Sequence, residues 1–86
     1  MSEIRVADTG ENVFEVVVEA ASRTVHQVRV DPAYAARIAP DVEPSELVRR
    51  SFEFLLEREP NTSILRSFEL PVIARYFPEY ESVIGE

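Results

Sequence analysis

The chain has 86 residues, a formal net charge of −7 and no cysteine. That length suits one small domain. The missing thiols exclude a disulfide framework and a thiolate zinc site, and the acidity sets the chain against proteins that bind nucleic acid by neutralising phosphates.

Elements follow from the pattern along the chain. Ile4 and Val6 alternate with polar neighbours and predict a short first strand. Asp8-Thr9-Gly10-Glu11-Asn12 reads as a turn, since Gly10 accepts a positive φ and Asp8 and Asn12 bond locally. Val13 to Ala20 is the clearest strand, with Phe14, Val16, Val18 and Ala20 on one face. Val25 to Val30 is the next, with Thr24, His26, Val28 and Val30 sharing a face. A hairpin over Ala21-Ser22-Arg23 sets Phe14 against Val30, Val16 against Val28, and Glu15 against Arg29 on the outer face. His26 then lies opposite Val18.

Asp31-Pro32 is a helix start, an Asp cap with proline at the first helical position, and Pro40 ends that helix. Tyr34 and Ile38, one turn apart, face the core. Pro44-Ser45-Glu46 opens the longest helix, running to about Arg58. Val48, Phe52, Leu55 and Leu56 form its apolar stripe, and Arg49–Glu53 and Arg50–Glu57 are its expected surface pairs. Phe54 lies off the stripe and points to a second contact surface. Asn61-Thr62-Ser63 is expected to cap a short helix carrying Ile64, Leu65 and Phe68. Leu70-Pro71 starts another with Val72, Ile73, Tyr76 and Phe77, and Glu79 to Ile84 forms a last turn after Pro78.

The expected fold is α+β in a single domain, residues 1–86. Residues 1–30 form a two- or three-stranded antiparallel meander, and residues 31–86 form three or four short helices packed on one sheet face. Val13, Val17 and Val25 on the outer face offer a surface for a homodimer. No apolar run approaches the roughly 20 residues of a spanning helix, and Met1 to Gly10 lacks the apolar core of a signal peptide. A cytoplasmic protein with no membrane partner is therefore expected.

The residues of catalysis are missing as a set. His26 is the one histidine, and it has no nucleophile or orienting group beside it in the pattern. Glu57, Glu59, Glu79 and Glu81 lack the spacing and glycine of a calcium loop. Gly10 and Gly85 are the two glycines, so no glycine-rich phosphate cradle exists. The expectation is no catalytic residue, no metal, no cofactor and no enzyme.

Two resemblances add to this. Gln27-Val28-Arg29-Val30 entering Asp31-Pro32, then the helix Pro44-Ser45-Glu46-Leu47-Val48-Arg49-Arg50, resembles a ribbon–helix–helix repressor. That resemblance implies a dimeric DNA-binding regulator in which Gln27 and Arg29 read bases. The segment Phe52-Glu53-Phe54-Leu55-Leu56-Glu57-Arg58-Glu59-Pro60, with Ile64-Leu65-Arg66-Ser67-Phe68 and Ile73-Ala74-Arg75-Tyr76-Phe77-Pro78-Glu79-Tyr80-Glu81, is similar to a block in short bacterial proteins of unassigned function. It implies a bacterial source and no particular chemistry. The tail also gathers Arg75, Tyr76, Phe77 and Tyr80, residue types that dominate interface hot spots. With the acidity, this points to a non-enzymatic interaction module, antitoxin-like or regulatory, with a basic protein partner. The repressor reading is the alternative.

Overall fold

The computed structural model describes residues 3–85. Three antiparallel strands open it: β1 (Glu3–Asp8), β2 (Val13–Glu19) and β3 (Arg23–Arg29). Alternation builds them as expected. Phe14, Val16, Val18, Thr24, His26 and Val28 are buried on one face, and their sequence neighbours face outward. The β1–β2 turn runs through Gly10, Glu11 and Asn12 with φ of 95°, 55° and 64°. Gly10 N–H donates to Asp8 Oδ1 at 2.8 Å.

The hairpin register differs from the expected one by two residues. Phe14 lies opposite Val28, Val16 opposite His26, and Glu15 opposite Gln27, while Arg29 faces Val13. A slip of one residue would have turned every apolar side chain outward, but a slip of two leaves both faces unchanged. The hydrophobic pattern therefore could not separate the two. The position of the turn does: Glu19 sits opposite Arg23, and the three-residue loop is Ala20 to Ser22, one residue earlier than expected. Val30 has left the sheet, and its N–H donates to Asn12 O at 2.8 Å.

Helix α1 (Pro32–Ile38) starts as the sequence predicts, with Asp31 Oδ1 accepting from Ala33 N–H at 2.9 Å. Helix α2 (Pro44–Leu56) buries Leu47, Val48, Ser51, Phe52, Phe54 and Leu55. A fully buried side chain of the size of Phe52 contributes roughly 1.5–3 kcal/mol. The helix ends at Leu56, two residues before the expected end. Arg58 folds back there, donating from Nη1 to Phe54 O at 2.9 Å and lying 3.5 Å from the Phe54 ring centroid. It satisfies a carbonyl that the helix end leaves open. Arg50 pairs with Glu46 at 3.2 Å rather than with Glu57.

The largest departure lies between Asn61 and Glu69. The expected helix is a single 3-10 turn (Asn61–Ser63) followed by extended chain and a fourth strand, β4 (Ser67–Glu69). Residues 31–86 are thus not all helical, and the sheet has the order β1-β2-β3-β4 with β4 parallel to β3. A parallel neighbour needs a long crossover, and α1 and α2 provide it. Long-range bonds override the local capping signal here. Asn61 Nδ2 donates to Ser22 O and Thr24 Oγ1, both at 2.9 Å, and Gln27 N–H donates to Arg66 O at 2.8 Å.

Helices α3 (Val72–Tyr76) and α4 (Tyr80–Ile84) close the core. Phe54 is the second contact surface of α2. Its ring meets Phe77 and Tyr80 edge-on, with centroids 5.9 and 5.3 Å away. No helix among the described residues is long and apolar enough to cross a membrane.

Candidate interaction surface

The six side chains singled out from sequence separate into three groups. Tyr80 is fully buried. Its hydroxyl donates to Ser51 Oγ at 2.6 Å, and Ser51 in turn donates to Leu47 O at 2.7 Å. Burial pushes the Tyr80 phenol up to about 12. Phe77 is half-buried against Phe54. These two residues hold the helices together, because a short chain must use its largest rings to build a core. Tyr76, by contrast, is 67% exposed, and Arg75 beside it is exposed. Gln27 and Arg29 are exposed on the open sheet face.

The structure brings Gln27, Arg29 and Arg75 together. With Ser67, Glu69, Val13 and Val72 they line a cavity of about 540 Å³ on the open face, where α3 leaves the sheet. Parallel pairing explains this. It places Ser67 beside Gln27 and Glu69 beside Arg29, and the turn at Pro71 then carries Arg75 over the strand ends. Arg5, Arg37, Arg50 and Arg58 each have a carboxylate partner. Among the described residues Arg29 and Arg75 have none. Glu69 lies on the same wall, so the cavity carries two guanidiniums and one carboxylate.

A second cavity of about 340 Å³ opens on the other side of β4, lined by Leu55, Ile64, Leu65, Phe68, Val72 and Tyr76 among others. Leu65 is 48% exposed there. Phe68 and Val72 line both cavities, so the two meet at the edge of β4. Leu65 and Ser67 lie on extended chain and strand where a helix is expected, whereas Val72 lies on a helix as expected. The strand signal the segment does carry is the alternation Phe68-Glu69-Leu70, half-buried, exposed and buried in turn.

His26 lies beneath this surface and is fully buried. Its Nδ1 is 2.7 Å from Leu65 O, which can only accept, so Nδ1 carries the proton. Nε2 then accepts from Thr24 Oγ1 at 2.8 Å, and Thr24 accepts from Asn61. Both ring nitrogens are engaged, and neither faces a nucleophile. Burial lowers the His26 pKa, the Arg66 charge lowers it further, and the bond to Leu65 opposes them. The chain Asn61–Thr24–His26–Leu65 ties β3 to the strand leading into β4. Among the described residues no group of three or more His, Asp or Glu side chains could hold a metal ion.

Comparison of the chain with protein-family models, curated proteins and solved structures found no match.

Proposed function

We propose that this chain is a non-enzymatic protein-interaction module that engages its partner through β4 and α3. The observation carrying this reading is the apolar cavity flanked by the exposed side chains of Leu65 and Tyr76. Scattered apolar residues on a surface need no explanation, but apolar residues around a concave groove mark binding sites. The net charge suggested a basic partner. Locally the charges are mixed: Glu59 lines the groove, and Arg29 and Arg75 lie with Glu69 in the adjoining cavity, so a basic side chain is disfavoured only on the arginine side. Self-association across the open sheet face belongs to the same proposal, with Val25 40% exposed beside half-buried Val17.

The test is affinity capture from cells of the source organism with the wild-type chain and with Leu65→Ser/Tyr76→Ser. A protein retained by the first and lost by the second supports the reading. Identical retention by both contradicts it.

A second reading, a DNA-binding regulator, is favoured by Gln27 and Arg29 being exposed on one sheet face, with Arg29 in no ion pair among the described residues. Both edges of β3 are occupied by β2 and β4, so a paired ribbon would have to form elsewhere. A salt-dependent mobility shift of promoter DNA, lost in Arg29→Ala, supports this reading. No shift at low salt rejects it.

A further inference from the structure

We infer that the partner segment is an extended peptide that adds to the free edge of β4, with an acidic residue directly next to a large apolar one. This rests on the interaction-module reading and specifies its ligand.

The backbone makes the first part of the case. Gln27 N–H donates to Arg66 O and Leu70 N–H donates to Arg29 O at 3.0 Å. In a parallel ladder the groups facing a neighbour alternate. Phe68 therefore turns its N–H and C=O toward β3, and Ser67 and Glu69 turn theirs away from it. Position β4 is last in the sheet order, so its outward groups meet no further strand. An unpaired edge is a template for another chain, and strand addition draws its affinity from such groups.

The cavities make the second part. They lie on opposite sides of β4 and meet at Phe68 and Val72. Successive side chains of a strand point to opposite faces. A peptide laid along β4 must therefore send one residue toward Arg29 and Arg75, and the next toward Leu65 and Tyr76. The first cavity has two guanidiniums and the single carboxylate of Glu69. One carboxylate neutralises the excess, and a basic residue is excluded by charge. The second cavity is walled mainly by apolar side chains, Leu55, Ile64, Leu65, Phe68, Val72 and Tyr76 among them, with Glu59 and Ser63 also on its lining. The apolar wall accepts an aliphatic or aromatic side chain, and the Glu59 carboxylate turns an acidic one away. Charge complementarity and strand geometry together select an acidic–apolar pair, adjacent in sequence and in extended conformation.

The experiment is selection from a randomised heptapeptide display library on the wild-type chain, followed by fluorescence titration of a blocked peptide from the enriched pool. The expected enrichment is Asp or Glu immediately beside Leu, Ile, Val, Phe or Tyr. Replacing the acidic residue by its amide weakens binding about tenfold, and Arg75→Ala on the protein abolishes that difference. Tyr76→Ser weakens peptides of both kinds. In an antiparallel peptide the acidic residue lies opposite Ser67 or Glu69 with its N–H toward β4, so N-methylation there removes a strand hydrogen bond and weakens binding. Enriched peptides that lack the acidic–apolar pair, or that bind Arg75→Ala and Tyr76→Ser as well as wild type, overturn this inference. Peptides that still depend on Tyr76 but not on Arg75 overturn the acidic–apolar rule and leave the module reading standing. No enrichment, together with identical capture by the Leu65→Ser/Tyr76→Ser chain, overturns both.

Discussion

Replacing Thr24 by valine tests whether the buried polar chain holds β4 in place. The substitution nearly preserves shape and removes one hydroxyl. That hydroxyl accepts from Asn61 Nδ2 at 2.9 Å and donates to His26 Nε2 at 2.8 Å. Thr24→Val leaves a buried ring nitrogen without a donor and one amide hydrogen without an acceptor. Each orphaned group costs about 1–3 kcal/mol, so the loss from the two should be about 2–6 kcal/mol. A chain of this length has a total stability of about 4–13 kcal/mol, which makes the effect large. At about 4–8 °C per kcal/mol, the melting temperature should fall by at least about 8 °C. Urea unfolding followed by circular dichroism measures it, with the midpoint lowered and the slope unchanged. Thr24→Ser keeps the hydroxyl and should retain most of the stability. A Thr24→Val loss below about 0.5 kcal/mol, the size of an ordinary surface substitution, would refute the reasoning.

The same network predicts a pH effect. Unfolded His26 protonates near the ordinary value of about 6.5, and burial lowers the folded value. Its contribution is therefore fully present above about pH 6.5 and lost as pH falls through the folded pKa. The urea midpoint of the wild type should drop between pH 7.5 and 5 more steeply than that of His26→Gln. Tyr80→Phe should cost about 1 kcal/mol in the same assay, because Ser51 keeps its bond to Leu47 and loses only the phenol. Gly85→Ala should cost about 1–3 kcal/mol: a Cβ there runs into the backbone carbonyl oxygen of Ile38, which cannot rotate away.

The meander, the cap at Asp31 and the proline-divided helices were legible because each depends on local chemistry. Phe14, Val16 and Val18 needed only a period of two to reveal their face. The hairpin register was not legible, because a two-residue slip leaves Phe14 and Val28 pointing inward in either case. Strand β4 was hidden for a different reason. Asn61, placed before an apolar stretch, carries a capping signal, yet its side chain is committed to Ser22 and Thr24, far away in sequence. The candidate surface depends on β4 and so was read only in fragments. Arg29 belonged to one reading and Arg75 to another, and the parallel pairing that joins them could not be read from either segment alone. Tyr80 and Tyr76 look equivalent in sequence, but only α4 packing against Ser51 decides which ring is buried.

The free edge of β4 is the claim on which the account turns, and residue-resolved amide hydrogen exchange tests it directly. In the free protein the amide of Phe68, bonded toward β3, should exchange slowly, and those of Ser67 and Glu69 should exchange rapidly. With a saturating acidic–apolar peptide, Ser67 and Glu69 should become protected while the β1 amides stay unchanged. Protection of Ser67 and Glu69 in the free protein, or peptide-induced protection confined to β1 or the open face of β2, would contradict the account.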